Sequence, residues 1–345
     1  MDLSIASILL LDGVTNGAIY ALLAMAIVLL FAVTRVIFIP QGEYVAFGAL
    51  TVGLFQAGQV PGTVWFLLCM AGVAALLDLV ADLRARRSAA RMAIRALRTL
   101  ALPVAASALA IWLAPQKPPL LVQALLTLAL VTPFGPLVYR LGYRALAEAS
   151  VLVLRIVSVG VHFALTGLGL FFFGAEGFRN PSFWDARFAL GALSVSGQAL
   201  IIFAATAALI VMLWLFFERT LHGKALRATA VNQLGARLMG ISTETAGRLS
   251  FTMAAFIGAL SGLLIGPTTT IFYDSGFLIG LKGFVAAVFA GLASYPAAMA
   301  GALLVGILEA FSSFWASAFK EVIVFTFIVP VLLWRSLRDP HADEE

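Results

Sequence analysis

Long apolar runs separated by short polar or charged segments follow one another along the whole chain. Runs bounded by charge, proline or glycine predict ten spans, at residues 8–33, 42–55, 62–80, 99–114, 120–138, 151–174, 191–217, 248–271, 283–312 and 320–334. A run of about 20 apolar residues can cross a bilayer, and lipid offers the backbone no hydrogen-bond partners, so each run is expected to be helical. The pattern predicts an all-α polytopic membrane protein, a bundle of about 8 to 11 transmembrane or half-spanning helices.

The ninth run carries its own interruption. The stretch LKGFVAAVFAGLASYPAAMAGALLVGILEA contains Gly291, Ser294 and Pro296, which predict a break into two short crossing or half-crossing helices. The break would also correct the topology, because ten spans from an outside N-terminus leave Arg335 and Arg338 outside, whereas one more crossing places them in the cytoplasm. An ordinary proline-kinked helix is the alternative.

Composition and charge narrow the class of protein. The 345 residues are 62% hydrophobic and 11% charged, and the mean hydropathy of +1.04 excludes a soluble globular domain. Asp2 and Asp12 stand where a signal peptide would be basic, so the first run is expected to be a retained span. Cys69 is the single cysteine, which excludes a disulfide framework within one chain. The net charge of +5 comes from short basic clusters between spans, which indicate topology rather than a nucleic-acid partner.

A strongly basic segment follows the third run. The stretch DLRARRSAARMAIRALRTL, residues 82–100, sets six arginines against Asp82. Such a segment is typical of an interfacial cytoplasmic helix that meets anionic headgroups, with membrane lipid as its partner.

Polar residues in or beside the spans are the candidates for a transport path or gate. Asn16 and Tyr20 are four residues apart and share one face of the first helix. Glu43, close to Gln41, falls in the first turn of the second run, where its charge suits the helix dipole. Further candidates follow Pro267, namely Thr268 and Thr269. The alternatives are an interfacial helix cap for Glu43 and hydrogen bonding to a kinked backbone for the threonines.

No enzyme site is recognisable in the sequence. It has no phosphate-binding loop of the G-x-x-x-x-G-K-[ST] type and no histidine or cysteine spacing typical of a metal site. His162 lies within a span, and a packed or helix-bonded histidine is the default interpretation.

A charged segment, GKALRATAVNQLGARLMGIS, separates two very apolar runs and is long enough for two short helices. The spacing of Leu226, Ala230 and Leu234 predicts one apolar ridge, with Lys224, Thr229 and Asn232 on the other side. Gly235 predicts the turn between the helices. Such a pair suits docking against a soluble partner, and a helix resting on the bilayer surface is the alternative.

Four motifs, taken together, resemble a known family. NGAIYALLAMAIVLLF, PQGEYVAFGAL, the charged segment above and the interrupted ninth run occur in the order found in permeases of branched-chain amino acid ABC importers of the high-affinity leucine/isoleucine/valine type. The resemblance covers residues 8–50 and 139–345.

The resemblance implies a single permease domain over residues 1–345, multi-pass in a bacterial inner membrane with a cytoplasmic C-terminus. Residues 218–248 would be a cytoplasmic coupling loop whose coupling helix docks into an ATPase. The implied coupling positions are Ala225, Arg227, Gly235, Leu238 and Gly240. The implied partners are two ATP-binding cassette subunits, a second homologous permease and a periplasmic solute-binding protein. No cofactor is expected in this chain, since ATP and Mg would be held by the ATPase subunits, which would drive alternating access between the two permeases.

Two departures from the family pattern limit what carries over. Residues 38–43 read FIPQGE and lack the asparagine found in many relatives, so no amide role is transferred there. Residues 82–138 form a family-atypical insertion, predicted as a basic cytoplasmic helix plus a helical hairpin.

An ion-coupled secondary transporter or channel acting without an ATPase, or a membrane-embedded enzyme, is the competing function. The cargo could equally be urea, a short amide or an aromatic acid.

Overall fold

The computed structural model describes residues 3–146, 149–190 and 193–338. The helices are α1 Leu3–Thr34, α2 Gln41–Gln56, α3 Gly62–Arg84, α4 Ala89–Leu113, α5 Leu120–Val131, α6 Phe134–Val138, α7 Val151–Phe173, α8 Gly197–Arg219, α9 Leu221–Val231, α10 Gln233–Leu238, α11 Thr243–Ile265, α12 Ser275–Phe289, α13 Tyr295–Trp315, α14 Lys320–Thr326 and α15 Ile328–Arg338. Strands β1 Arg187–Leu190 and β2 Leu193–Ser196 form an antiparallel hairpin. Within the described residues, eight helices are long and apolar enough to cross a membrane, which confirms the all-α polytopic fold.

The centre of the bundle is built around α1 and depends on glycines at its helix contacts. A Cβ added to Gly13 would lie 2.7 Å from the Cα of Ile307 in α13, and one added to Gly17 would lie 2.9 Å from the Cα of Leu303. Gly306 faces both glycines from α13. Small residues let the two backbones approach closely, and in a membrane such packing is what holds helices together.

Helix α2 begins inside the bundle rather than at its surface. Gln41 Nε2 donates a hydrogen bond of 2.9 Å to the carbonyl of Ala254, near the middle of α11. Gly42 lies against Gly276 in the first turn of α12 with no room for a side chain. All residues of α2 except Gln56 are buried. The chain therefore reaches the middle of the bundle as a non-helical segment, residues 35–40, before α2 starts.

The predicted interruption of the ninth run is confirmed, but the helix before the break starts earlier than predicted. Helix α12 ends at Phe289 and α13 starts at Tyr295, and Gly291 and Leu292 between them adopt left-handed φ values of 66° and 59°. Helix α12 begins at Ser275, not at residue 283, so Lys282 lies within the helix rather than before it. The predicted last span is also divided, into α14 and α15 at Phe327.

Several other predicted boundaries are wrong. The predicted basic surface helix, residues 82–100, is divided between two helices: Arg84 ends α3, whereas Arg91, Arg95 and Arg98 lie in the first turns of α4, which continues through the span predicted at 99–114. The predicted span at 120–138 is divided by the turn at Thr132 and Pro133 into α5 and α6. The spans predicted at 191–217 and 248–271 are α8 and α11, which begin at Gly197 and Thr243. Asp2, used to predict a retained first span, lies outside the described residues.

Candidate functional site

A polar cavity of about 890 Å³ opens between α1, α8, the α11–α12 connection, α12 and α13. Residues Ser275, Leu278, Ile279 and Lys282 contribute one face of α12 to its wall. Its polar lining also includes Asp12, Thr15, Asn16, Tyr20, Ser196, Gln198, Thr268, Thr269, Thr270, Glu309, Lys320 and Glu321. Four of the residues predicted for a path, Asn16, Tyr20, Thr268 and Thr269, thus meet in one cavity.

Four charged or hydroxyl-bearing side chains of this lining bond to one another, and we call them the Lys282 cluster: Tyr20, Lys282, Glu309 and Glu321. Lys282 Nζ lies 2.5 Å from Glu309 Oε1 and 3.2 Å from Glu321 Oε1. The Tyr20 hydroxyl donates a hydrogen bond of 2.6 Å to Glu309 Oε2, so both oxygens of that carboxylate have a partner. Lys282 and Glu309 are 5% and 8% exposed.

Charges held this far from solvent are costly unless they are paired and hydrogen-bonded, and inside a membrane they mark functional positions more often than structural ones. Sequence reasoning missed Lys282 and Glu309. The signal was available, since both are ionisable residues in or at the end of an apolar stretch. The predicted run, residues 283–312, left Lys282 just outside the span and gave Glu309 no role, whereas the structure places Lys282 within α12 and Glu309 within α13.

The other two predicted path residues, Gln41 and Glu43, do not line this cavity. Glu43 Oε1 lies 2.6 Å from Nδ1 of His162 in α7, and Thr166 donates to the same oxygen at 3.4 Å. Glu43 is 1% exposed. His162 was expected to be packed or bonded within its own helix, and its pairing with Glu43 could not be found from sequence separation.

The first turn of α2 is incompletely hydrogen-bonded. Gln41 Oε1, Glu43 Oε2 and the Tyr44 hydroxyl are buried and have no hydrogen-bond partner among the described residues. Buried polar groups are nearly always satisfied, and leaving one unpaired costs on the order of 1–3 kcal/mol. Three such atoms in one helical turn indicate a place where water enters or the packing changes.

At one end of the bundle, α9 and α10 form the predicted pair of short helices, but the details of the prediction are wrong. The turn is at Asn232, whose Oδ1 accepts a hydrogen bond of 2.8 Å from the backbone N–H of Gly235, so Gly235 lies within α10. The predicted ridge is broken there: Leu226 is buried at 1% exposure and Leu234 is exposed at 68%. Thr229, expected on the polar side, is buried.

The helix pair is attached to α1 by its inner side. Leu226 packs in a small apolar cluster with Leu29 and Val33 of α1. Gln233 Nε2 donates a hydrogen bond of 2.9 Å to the Val33 carbonyl. A movement of α9 and α10 would therefore displace α1, the helix that also carries Asn16 and Tyr20.

The outer side of the pair is apolar and basic. Its exposed side chains, which we call the α9–α10 surface, are Lys224, Arg227, Val231, Leu234, Leu238 and Met239. Val231, Leu238 and Met239 are 80–83% exposed. Four large apolar side chains presented together beside two cations are typical of an interaction site rather than of a solvated helix.

The five predicted coupling residues take different positions on this pair. Arg227 and Leu238 belong to the α9–α10 surface, and the Arg227 guanidinium also lies 2.8 Å from Glu218. Ala225 and Gly235 are partly buried. Gly240 follows α10 with a φ of 80°, a left-handed conformation that glycine accepts without strain.

Comparison with known proteins places this architecture in a family. Residues 9–332 match a family described as the permease component of branched-chain amino acid transport systems. The high-affinity branched-chain amino acid transport system permease protein BraD of Pseudomonas aeruginosa is 30% identical over 216 residues, covering 61% of this chain and 70% of that protein. The corresponding permease protein LivH of Escherichia coli is 29% identical over 213 residues, covering 60% and 69%.

Among solved structures, PsaBC from Streptococcus pneumoniae in complex with Fab covers 93% of this chain and 89% of its own at 13% identity. Its TM-score of 0.40 is too low to define a common fold. The match of the permease family over residues 9–332, together with the apolar spanning helices, identifies a multi-pass membrane transport subunit. The chain belongs to the family of permease components of branched-chain amino acid transport systems.

Proposed function

We propose that this chain is the permease subunit of an ATP-binding-cassette importer for branched-chain amino acids, set in a bacterial inner membrane with its C-terminus in the cytoplasm. The observation that carries the ATP-driven part of the proposal is the α9–α10 surface. Its apolar side chains are exposed at one end of the bundle, and no helix or strand among the described residues covers them. A soluble ATPase subunit would bury them, with Lys224 and Arg227 at the rim of the contact.

The complete importer would contain two ATP-binding cassette subunits, a second homologous permease and a periplasmic solute-binding protein. ATP and Mg would be held by the cassette subunits. The names of the relatives, which place them in high-affinity branched-chain amino acid transport systems, support the choice of cargo. Family membership supports the assembly, since a permease component belongs to a larger transport system.

The polar cavity is our candidate for this chain's part of the translocation path. Asn16, Thr268 and Thr269 would provide neutral hydrogen-bonding groups along its wall, and the Lys282 cluster would form its charged end. An amino acid cargo carries both a carboxylate and an ammonium group, and a site with both a lysine and carboxylates can exchange partners with each.

Helix α1 is the proposed mechanical link between ATPase and path. Val33 and Leu29 contact the helix pair, whereas Asn16 and Tyr20 face the cavity from the same helix. A shift of α9 and α10 on ATP binding would displace α1 and strain the bond from Tyr20 to Glu309. For alternating access, the nucleotide state must favour one arrangement over the other by several kcal/mol, because a ligand with equal affinity for both shifts nothing.

We assign Gln41 and Glu43 to the gate rather than to the lining of the path. Their unpaired buried oxygens at the start of α2 favour a second arrangement in which those atoms find partners. The tight contact of Gly42 with Gly276 joins this turn to α12, which carries Lys282.

One observation favours a second candidate, an ion-coupled carrier acting alone. Buried lysine and glutamate pairs inside membrane helices are used by such carriers to couple proton or cation movement to transport. The Lys282 cluster fits that description as well as it fits an importer. The two candidates differ in whether an ATPase is required.

Affinity purification of the chain with its bound partners distinguishes the importer from the ion-coupled carrier. The tagged chain would be extracted from its native membranes in mild detergent, and the bound proteins identified by mass spectrometry. We expect an ATP-binding subunit and a second permease. A folded chain that is repeatedly isolated alone, and that drives uptake in vesicles from an ion gradient without ATP, would replace the importer by the ion-coupled carrier.

The α9–α10 surface can be tested separately by Leu238→Asp. A carboxylate buried against an ATPase without a partner should weaken that contact, so we expect solute-stimulated ATP hydrolysis of the reconstituted complex to fall by about tenfold or more. The matched control is Gln59→Asp, which introduces the same charge at an exposed position between α2 and α3. Equal hydrolysis in both variants and the wild type would contradict the assignment of this surface.

A further inference from the structure

A second cavity, of about 1120 Å³, lies between α4 on one side and α6 and α11 on the other. Side chains at one end are basic and those along the rest are mostly apolar. The basic end is lined by Arg95, Arg98, Arg140, Arg144 and Arg248. We call this cavity the arginine groove. It shares no lining residue with the polar cavity.

The pattern along both walls explains the change from basic to apolar. On α4, Arg95, Arg98, Leu102, Ala105 and Leu109 recur at three- and four-residue spacing and share one face. On α11 the corresponding face carries Glu244, Arg248, Thr252 and Phe256. Both helices begin at the basic end, so charged side chains of their early turns meet and apolar side chains of their later turns meet.

Two arginines of the basic end form no salt bridge to a described carboxylate. Arg95 is bonded to Asp78 and Asp82, Arg140 to Asp78, and Arg144 to Glu244 at 3.0 Å. For Arg98 and Arg248, which are exposed, no carboxylate of the described residues lies within salt-bridge distance. The basic end of the groove is therefore left with a positive charge that the described carboxylates do not neutralise.

The length of the arginine groove along α4 matches the thickness of one leaflet of a membrane. From Arg98 to Leu109 the helix rises roughly 16 Å at 1.5 Å per residue. That is close to half of the ~30 Å hydrocarbon thickness of a bilayer. An amphiphile with its headgroup at Arg98 would thus have its chains beside Leu102 and Leu109, which are 61% and 46% exposed.

We propose that the arginine groove binds one anionic phospholipid. Its phosphate would lie between Arg98 and Arg248, and its acyl chains along the apolar faces of α4 and α11. Charge complementarity selects this occupant: a helix of a protein partner would need an apolar stripe along its whole length, whereas a lipid changes from anionic to apolar over the same distance as the groove. The lipid would join α4 to α11 and so attach the α3–α4 hairpin to the centre of the bundle.

The test is a lipid titration of the full purified chain followed by native mass spectrometry. The probes are phosphatidylglycerol and phosphatidylcholine with identical acyl chains, and glycerol 3-phosphate as an anion without chains. We expect one tightly bound phosphatidylglycerol per chain. The double variant Arg98→Gln/Arg248→Gln should bind it about tenfold more weakly or worse, while its binding of phosphatidylcholine stays unchanged.

The matched control is Arg84→Gln/Arg91→Gln, which removes the same charge from exposed arginines of the same basic segment that do not line the groove. It should leave phosphatidylglycerol binding unchanged. Ala105→Trp, which fills the apolar part of the groove without changing its charge, should also lower binding. Because all four arginines and Ala105 are exposed, these variants are expected to fold.

Three results would overturn the proposal. An equal loss in the control would mean that general surface charge attracts the lipid. Binding of glycerol 3-phosphate as tight as that of phosphatidylglycerol would mean a free anion site. If Ala105→Trp loses a dimer that the wild type forms while its lipid binding is unchanged, the groove is filled by a second copy of the chain.

Discussion

Helices α1 and α4 are both long and apolar, yet they occupy opposite environments. In α1, 83% of the most apolar stretch is buried in the bundle, whereas in α4 only 17% is. Their hydropathy values do not account for this, because both are well above what a membrane span needs. In a membrane an apolar side chain gains little by leaving lipid for protein, so hydropathy places a helix in the bilayer without placing it in the bundle.

The difference lies in side-chain size. Helix α1 contacts α13 through Gly13 and Gly17, and Gly306 of α13 lies against the backbone of both. Helix α4 has no glycine and turns Leu97, Leu102 and Trp112 outwards. Two backbones that approach closely make many dispersion contacts, and this close packing separates a central helix from a peripheral one.

The largest effect is expected from filling one of these central contacts. In Gly306→Leu the new side chain would meet the backbone of Gly17, whose N atom lies only 2.5 Å from the position of an added Cβ. We expect the variant to lose more than about 5 kcal/mol of stability, since the clash is with backbone atoms that cannot move aside, and to elute as aggregate on size-exclusion chromatography.

The control for this prediction is Gly72→Leu in α3, where an added Cβ meets no atom within 4 Å. Its thermal midpoint in detergent should equal that of the wild type. If both variants remain monodisperse with equal midpoints, close glycine packing does not determine which helices are central.

An intermediate effect is expected from breaking the buried pair at the centre. Lys282→Met leaves Glu309 buried without its cation, which costs roughly 3–5 kcal/mol when one partner of a buried pair is removed. The measurement is the thermal midpoint in detergent. Lys282→Met/Glu309→Gln should recover part of the loss, since it removes the unpaired charge, and a double variant less stable than the single one would contradict this account.

The smallest effect is expected from an exposed pair at the periphery. Arg144 and Glu244 are 3.0 Å apart with side chains 41% and 54% exposed. Glu244→Gln should change stability by at most about 1 kcal/mol, because water screens such pairs. A loss as large as that of Lys282→Met would show that the periphery is as tightly coupled as the centre.

Much of the fold could be predicted because its signals are local. Gly291 and Pro296 predicted the break between α12 and α13. The four motifs led to the correct permease family. Boundaries were less accurate, since α4 continues through Arg95, to which the neighbouring helix α3 supplies Asp78 and Asp82 as partners.

The candidate site was predictable only in part. Asn16 and Tyr20 could be placed on one face of α1 by helical spacing alone. Lys282 and Glu309 could not be joined, because their distance depends on how α12 packs against α13. Gly235 was assigned to the turn because glycine often marks one, but the Asn232 side chain caps α10 first.

Apolar run length and charge placement are properties of the chain itself, and they specify membrane helices without reference to any neighbour. Which helices become central, which ionisable groups meet and which surfaces stay exposed depends on packing between segments far apart in sequence. The reason is that lipid and protein interior are almost equally apolar, so close approach at glycines and the pairing of buried charges decide the arrangement. The polar cavity, the arginine groove and the exposed α9–α10 surface all follow from that arrangement.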